Sequence, residues 1–238
     1  MKLLSVECSA TPCSVALTED KKILSCAFTN VKLTHSQTLM PMARSVLDSS
    51  LTKISEIEAL AVSAGPGSFT GIRIGISAVK GLAQAKNLPC VAVSTLEAMA
   101  ENYSDTDCFV CSVMDARCNQ VYNALFKSEN GEMERLCEDR ALAIEELAPQ
   151  VEELSKEGRK IYIVGDGAEI FYPFVSKTEN VYLADPKRRF QNAVGVSAVA
   201  EKLLKEGKVT TAKELCPIYL RLPQAERELK RKEEQISK

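Results

Sequence analysis

Hydrophobic residues recur along this chain in two patterns. Short apolar runs between polar turns are typical of β-strands, and apolar residues returning every three or four positions are typical of amphipathic helices. In the first part of the chain, the predicted strands are 1–9, 14–18, 23–28, 59–63 and 89–94, and the predicted helices are 38–50, 70–85 and 95–102. In the rest, the predicted strands are 109–114, 120–126, 133–137 and 160–164, and the predicted helices are 144–155, a segment from about 168, and 191–206.

The order three strands, helix, strand, helix therefore occurs twice, and the second copy is shorter. No close sequence repeat accompanies it. Such a duplication predicts a two-lobed α/β protein with a cleft between the lobes. The predicted boundaries are an N-terminal lobe at 1–104, a C-terminal lobe at 105–222 and a charged tail at 223–238. The tail is rich in Arg, Lys and Glu, which favours a frayed helix or disorder.

Pro41 constrains where the first helix begins. Proline has no backbone N–H and is tolerated without penalty only in the first turn of a helix. We therefore place the cap near Gln37 or Thr38.

The composition is that of an ordinary globular protein, with 45% hydrophobic and 26% charged residues among 238. No apolar run approaches the roughly 18 residues that a membrane span needs, and no apolar leader precedes the first strand, so we expect a cytoplasmic protein. The nine cysteines are an odd number and lie mostly in apolar stretches. Cys108 and Cys111 form a C-x-x-C, but within a strand their side chains point to opposite faces. Free thiols in the core are favoured over a zinc or redox site.

The net charge is −2, which does not favour a protein that grips RNA alone. Dense basic clusters occur only at 187–189 and 230–232, and each is interpreted as a solvated surface. If RNA is the substrate, a partner is expected to hold most of it.

A glycine-rich segment, Gly-Pro-Gly-Ser-Phe-Thr-Gly at 65–71, follows a strand and opens a helix. Glycine-rich turns of this kind often bind phosphate through free amides. Here Pro66 removes one amide, and the segment matches neither a dinucleotide-binding nor a Walker motif. A tight turn in which Ser68 or Thr70 caps the helix is the favoured alternative.

The helix that follows carries small residues on one face. This face comprises Gly71, Gly75, Ala78, Leu82 and Ala85. Each glycine costs roughly 1 kcal/mol relative to alanine, which indicates that something passes close to the backbone. The chain's own sheet and a helix of another subunit are equally compatible with this pattern.

Several segments together resemble the TsaB (YeaZ) family over about residues 1 to 225. The most specific is Gly-Pro-Gly-Ser-Phe-Thr-Gly-Ile-Arg-Ile-Gly at 65–75. Others are Leu-Leu-Ser-Val-Glu-Cys-Ser at 3–9, His-Ser-Gln at 35–37, Met-Asp-Ala-Arg at 114–117, Gly-Asp-Gly-Ala at 165–168 and Pro-Ile-Tyr-Leu-Arg at 217–221.

The resemblance implies a two-lobed actin/hexokinase/sugar-kinase-like (ASKHA) fold with a degenerate second lobe. It also implies a non-catalytic subunit that supports the paralogue TsaD in transferring threonylcarbamoyl to the adenosine beside the tRNA anticodon. A TsaE-like ATPase is a further expected partner, tRNA is contacted indirectly through the complex, and a homodimer is compatible. We expect no membrane association and no cofactor bound by this chain alone, although a nucleotide at the partner interface is compatible. The expected interface residues are Thr70, Gly71, Ile74, Gly75, Ala78 and Leu82.

The residues themselves also argue against catalysis. The paralogue holds its metal with two histidines, whereas this chain has one, His35. Two turns bind phosphate in ATP-using relatives, and both are unsuited to phosphate in this chain. The first has Glu7 and no glycine, and the second, 115–119, carries bulky side chains that would crowd a phosphate. We therefore predict no catalytic, cofactor-binding or metal-binding residues, and interpret Asp115 and Arg117 as turn-forming.

A metallopeptidase-like or other hydrolase remains the alternative. It would depend on His35, but no Gly-x-Ser-x-Gly elbow accompanies that histidine. Ordinary hydrogen bonding at a helix start is the favoured role.

Overall fold

The computed structural model describes residues 1–221, which form two sheets with flanking helices. The elements of the first part are β1 (Lys2–Glu7), β2 (Cys13–Glu19), β3 (Lys22–Thr29), α1 (His35–Ser49), β4 (Ala59–Gly65), α2 (Phe69–Gln84), β5 (Cys90–Ser94) and α3 (Thr95–Ala100).

The elements of the second part follow the same plan. They are β6 (Cys108–Asp115), β7 (Gln120–Glu129), β8 (Glu132–Arg135), β9 (Arg140–Ala143), α4 (Ile144–Ser155), β10 (Ile161–Val164), α5 (Ala168–Val175), β11 (Val181–Leu183), α6 (Pro186–Arg189) and α7 (Ala193–Lys205).

The strand order confirms the predicted duplication. The first sheet runs β3-β2-β1-β4-β5 and the second runs β8-β7-β6-β10-β11, so each strand of one sheet has a counterpart in the other. In both sheets the first three strands are antiparallel, and the last two run parallel to the central one. β9 is an addition that pairs with β7.

Helices on both faces of each sheet build the core. α1 and α2 pack on one face of the first sheet, while α4 and α5 pack on one face of the second. α3 follows the first sheet in sequence but packs mainly on β6 and β7, whereas α7 follows the second sheet and packs on β1 and β2. These two helices also contact each other, so a shared helical layer joins the two halves. The domain boundaries at 104 and 222 stay predictions.

The predicted start of α1 is wrong. The helix begins at His35 with Thr34 at its N-cap, so Pro41 lies inside it and beyond the first turn. A tertiary contact at the helix start accompanies this early beginning, since the His35 imidazole bonds to the Ala10 carbonyl. The sequence prediction also omitted β9, β11 and α6, which are all four residues long or shorter.

The prediction that the two cysteines of the C-x-x-C point to opposite faces of a strand is confirmed. Both lie on β6, but Cys108 packs in the cluster beneath α3 and Cys111 packs in the cluster beneath α4 and α5. Burial raises the pKa of Cys108 to about 11 and also raises the pKa of Cys111. Within residues 1–221, no helix is long and apolar enough to cross a membrane. The predicted charged tail lies outside the described residues.

Candidate functional site

A cleft of about 590 Å³ lies between the two halves of the molecule. The β1–β2 turn and the loop before α2 form one wall, and the β6–β7 turn and Asp166 form the other. The segment 218–221 crosses the mouth of the cleft. The predicted glycine-rich loop and the predicted second turn therefore meet in one place.

The glycine-rich loop is tight because the chain leaves no space around it. Gly65 has a φ of +136°, and a Cβ there would lie 2.2 Å from the carbonyl oxygen of Ile218. Gly67 has a φ of +154°, and a Cβ there would lie 2.4 Å from the carbonyl oxygen of Ser9. Ser68 is the N-cap of α2, and its Oγ accepts a hydrogen bond from the Gly71 N–H at 3.2 Å. The predicted capped turn is confirmed.

Two carboxyl groups in this region are shielded from water: Asp166, which lines the cleft, and Glu7, at the end of β1. Glu7 is fully buried, where its Oε1 accepts from the Ser9 N–H at 2.6 Å and its Oε2 accepts from the Ser63 hydroxyl. Burial raises the pKa of Glu7. Desolvation, with smaller contributions from nearby carboxylates, raises the pKa of Asp166 to about 6, and Asp166 accepts from Gln191 Nε2 at 2.6 Å. An ionised carboxylate is thus disfavoured at both positions.

The C-terminal segment of the described chain, 216–221, runs across the cleft and is called the strap below. Its Ile218 N–H donates to the Ala64 carbonyl at 2.7 Å, which fixes it beside β4. The Tyr219 ring stacks on Phe69 with centroids 4.8 Å apart, and the Tyr219 hydroxyl accepts from Arg73 Nε at 2.9 Å.

The strap also reaches the opposite wall. Arg221 donates to the carbonyl oxygen of Ala116 in the β6–β7 turn at 2.8 Å. One segment therefore contacts both halves of the molecule and covers part of the space between them. The segment Pro-Ile-Tyr-Leu-Arg contributed to the family resemblance, but the sequence did not predict its position across the cleft.

Two further polar residues considered in the sequence, Asp115 in the cleft and His35 at the start of α1, have local structural contacts. An Asp115 carboxylate oxygen accepts from the Arg117 N–H at 2.7 Å, so Asp115 forms the turn as predicted. His35 Nε2 lies 2.7 Å from the Ala10 carbonyl oxygen, which is the predicted ordinary hydrogen bond. Among residues 1–221, no group of three or more His, Cys, Asp or Glu side chains is placed to hold a metal ion.

Two of the six expected interface residues are not accessible to a partner, which corrects the prediction. Gly71 and Gly75 lie on the buried side of α2. A Cβ on Gly71 would lie 2.1 Å from the Cys8 carbonyl oxygen, and a Cβ on Gly75 would lie 2.6 Å from Cys8 Sγ. The close neighbour that these glycines accommodate is therefore the end of the chain's own β1.

The other four expected residues retain accessible surface. Thr70 is exposed, and Ile74, Ala78 and Leu82 are partly exposed. Ser77 and Gly81 lie on the outer side of α2 as well, and a Cβ on Gly81 would meet nothing within 4 Å. Ser77 and Gly81 were not among the six expected interface residues, although their spacing of four places them on one helix face.

A groove of about 500 Å³ lies next to this surface. It lies beside α1, and its apolar lining includes Met40, Ala43 and Leu47 of that helix together with Leu82 of α2. Met40 is exposed although it is large and apolar. The outer face of α2 therefore continues into an apolar groove, which is a feature common at protein interfaces.

The prediction of a solvated basic surface at 187–189 is wrong for Arg189, whereas Lys187 is exposed and Arg188 is partly exposed. Arg189 is buried, where it donates to the Ala184 carbonyl and pairs with Glu169. The Arg188 guanidinium lies 4.2 Å from the centre of the Tyr103 ring. Both guanidinium groups therefore interact with other residues of the chain. The second basic cluster, 230–232, lies outside the described residues.

The duplicated sheets, crossing helices and interlobe cleft define the two-lobed actin/hexokinase/sugar-kinase-like class of proteins. Within that class, residues 26–229 match the family model described as TsaD, tRNA N6-adenosine threonylcarbamoyltransferase. The chain is 33% identical over 224 residues to the tRNA threonylcarbamoyladenosine biosynthesis protein TsaB of Escherichia coli, which covers 93% of this chain and 95% of that protein. It is 28% identical over 233 residues to the TsaB of Bacillus subtilis, covering 95% of this chain and 96% of that protein.

A solved structure agrees with these relatives. YeaZ from Pseudomonas aeruginosa superimposes with a TM-score of 0.78 at 28% identity, covering 92% of this chain and 99% of that one. The chain belongs to the TsaB (YeaZ) family, within the larger group that the TsaD model describes.

Proposed function

We propose that this chain is a non-catalytic subunit of the complex that makes threonylcarbamoyladenosine on tRNA, where it supports a TsaD-like catalytic paralogue. The observation that carries the proposal is the similarity to E. coli TsaB over 93% of the chain. A relative that matches almost end to end is expected to share the same architecture and the same kind of task.

The cleft supports a role other than nucleotide hydrolysis. In this fold the two turns facing the cleft approach a phosphate closely only where glycine leaves room for it. Here the first turn presents Ser9, Ala10 and Thr11, and the strap covers part of the mouth. The chain also has a single histidine, which rules out a metal site built on paired histidines.

The outer face of α2 is the proposed partner surface. Thr70, Ile74, Ala78 and Leu82 line it, and the groove beside α1 extends it. Small side chains let a partner helix approach closely, and partly exposed apolar ones supply area for burial. We further propose that a TsaE-like ATPase and tRNA join through the assembled complex, and that any nucleotide is bound together with a partner rather than by this chain alone.

A binding measurement with the purified catalytic paralogue tests this surface. Gly81→Arg places a long charged side chain on the outer face of α2 without a clash inside the fold. Glu152→Arg is the matched control, because it introduces the same side chain at an exposed position of α4 in the other half. We expect Gly81→Arg to abolish binding and Glu152→Arg to retain it.

The result that contradicts the proposed surface is equally definite. A folded Gly81→Arg protein that binds the paralogue as tightly as the control would exclude this face. Turnover of a nucleotide or peptide by the isolated chain that is lost in His35→Ala would instead support a hydrolase.

A further inference from the structure

Arg73 lies near the start of α2, where two aromatic side chains hold its guanidinium in place. The guanidinium carbon lies 3.7 Å from the centre of the Phe69 ring. Its Nε donates to the Tyr219 hydroxyl at 2.9 Å, and the Tyr219 ring itself stacks on Phe69. An arginine that is already fixed loses little conformational freedom on binding, because its planar fork of N–H donors is oriented beforehand.

The two terminal nitrogens of Arg73 have no partner within residues 1–221. The bond from Nε is the only hydrogen bond that its side chain makes there, and it forms no salt bridge. Several other arginines of the described chain pair with an acidic side chain, namely Arg44, Arg135, Arg159, Arg188 and Arg189. Arg73 is instead positioned by aromatic groups, so the donors that would bind a carboxylate stay available.

Arg73 adjoins the surface proposed to bind the catalytic paralogue. Thr70 lies three residues before it and Ser77 lies four residues after it, so these three exposed side chains share one face of α2. Ile74, the next residue, is partly exposed and belongs to the proposed surface. A partner that covers this surface therefore also covers Arg73, and arginine is among the residues that contribute most to binding at such positions.

We propose that Arg73 binds a carboxylate side chain of the catalytic paralogue through two parallel N–H···O bonds, and that Tyr219 of the strap is the positioning residue that orients it. This inference rests on the proposed function, since it names the chemistry by which that partner is recognised. A planar guanidinium matches a carboxylate in this bidentate geometry, which the single ammonium group of lysine does not reproduce.

An acidic protein side chain is a better-matched occupant than a phosphate of tRNA. Binding of a nucleic-acid backbone uses several cations spaced along one surface. On α2 the next cation is Lys80, about two helical turns away, and its ammonium group donates to the Lys213 carbonyl. The nearer neighbours of Arg73 are the apolar side chains of Phe69 and Ile74. A lone guanidinium beside partly exposed apolar groups is typical of a protein–protein interface.

The affinity of the purified paralogue for the full chain, measured by calorimetry, tests the proposal with a matched pair of variants. Arg73→Lys keeps the charge and removes the fork. Arg117→Lys makes the same change at an exposed arginine of the β6–β7 turn in the other half. We expect Arg73→Lys to weaken binding about tenfold or more and Arg117→Lys to leave it unchanged. A folded Arg73→Lys protein that binds as tightly as the parent overturns the proposal.

The positioning role of Tyr219 is tested by a double-mutant cycle. Tyr219→Phe removes the hydroxyl that holds Nε and keeps the ring that stacks on Phe69. We expect it to weaken binding about threefold in the parent and to have no effect in the Arg73→Lys background. Urea unfolding should change little, which separates positioning from a general loss of stability. Equal losses of affinity in both backgrounds would show that Tyr219 does not act through Arg73.

Two comparisons separate this inference from its rivals. If Arg73→Lys leaves the paralogue bound normally but weakens tRNA binding by the assembled complex, the fork binds phosphate and the proposal is overturned. A paralogue that loses binding with Gly81→Arg but not with Arg73→Lys refutes this inference alone. A paralogue that does not bind even the parent chain contradicts the proposed function itself, and this inference with it.

Discussion

The loops at the ends of β4 and β10 occupy matching places in the two halves, and each contains glycine, one other residue and glycine in succession. They are Gly65-Pro66-Gly67 and Gly165-Asp166-Gly167. Gly65 and Gly165 both have positive φ, at +136° and +104°. In each loop the chain passes so close to a neighbouring backbone that a Cβ cannot be accommodated.

The middle residue and the neighbouring backbone distinguish the two loops. Pro66 carries no charge, whereas Asp166 is a shielded carboxyl that contacts Gln191. The first loop abuts the strap at Ile218, and the second abuts β6 at Val113, inside the sheet. The comparison indicates that the close backbone approach requires glycine in both loops, while the residue between the glycines differs and gives each loop a different local chemistry.

Replacing the first glycine of each loop, Gly65 or Gly165, with alanine should cause the largest losses of stability. The loss should be greater in the second loop. A Cβ on Gly165 would lie 2.0 Å from the Val113 carbonyl oxygen on a central strand, which cannot move easily. We expect Gly165→Ala to lower the free energy of unfolding by about 3 kcal/mol or more. We expect Gly65→Ala to cost about 1–2 kcal/mol less than that, because the strap can shift. Urea unfolding of both variants measures the difference.

The control for that prediction is Gly207→Ala. Gly207 has a φ of +71°, but a Cβ there meets nothing within 4 Å, so it isolates the conformational cost. That cost is about 1–2 kcal/mol. A Gly165→Ala protein no less stable than Gly207→Ala would contradict the close-approach explanation.

Replacing two glycines of α2 with alanine should change the stability of the fold in opposite directions. Gly75→Ala presses a methyl group against the buried Cys8 sulfur and should destabilise the fold by about 1–3 kcal/mol. Gly81→Ala meets open space and should stabilise it by about 1 kcal/mol, through helix propensity. Thermal unfolding of both variants tests this pair, and equal shifts of the same sign would refute the assignment of inner and outer faces.

Asp166→Asn should change how stability depends on pH. The folded protein holds the Asp166 proton up to about pH 6, whereas an unfolded aspartate titrates near 3.9. The folded state thus binds more protons in that interval, and its stability falls as pH rises from about 4 to 6. The variant removes this loss and should be more stable than the parent at neutral pH by about 1–2 kcal/mol.

The comparison between parent and variant isolates this residue. The pKa of Glu7 is also raised, so Glu7 gives a slope of the same sign in both proteins. Asp115 contributes to the raised pKa of Asp166 and is likewise present in both. Parallel stability curves for the two proteins from acid to neutral pH would show that Asp166 titrates normally.

The smallest expected effect is that of removing the aromatic contact of the strap. Tyr219→Leu removes the stacking on Phe69 and the hydroxyl that accepts from Arg73. Because these groups are partly exposed, we expect a loss of about 0.5–1.5 kcal/mol in the free energy of unfolding. Tyr182→Leu, at a similarly exposed tyrosine on β11, is the control. A larger loss in the control would show that the strap adds little.

The sequence predicted the duplicated order of elements because long apolar patterns determine it locally. It missed β9 and β11, whose few residues carry too little periodicity to be distinguished from loops. It placed the start of α1 too late, since a contact between His35 and Ala10 in a distant turn is not visible locally.

The candidate site was predicted in part. The resemblance identified α2 and its glycine-rich loop, and the capping role of Ser68 followed from residue type. Spacing alone could not assign Gly71 and Gly75 to the chain's own β1, because both a sheet and a partner helix require small residues. Charge clustering likewise misassigned Arg189, whose partner Glu169 is brought close only by the fold.

The most direct test of the proposed function is threonylcarbamoyladenosine formation on tRNA by purified components, with this chain present or omitted and everything else held constant. We predict that modification requires the chain, and that the chain alone modifies nothing. Undiminished modification in its absence, or modification by the chain alone, would contradict its assignment as a non-catalytic subunit.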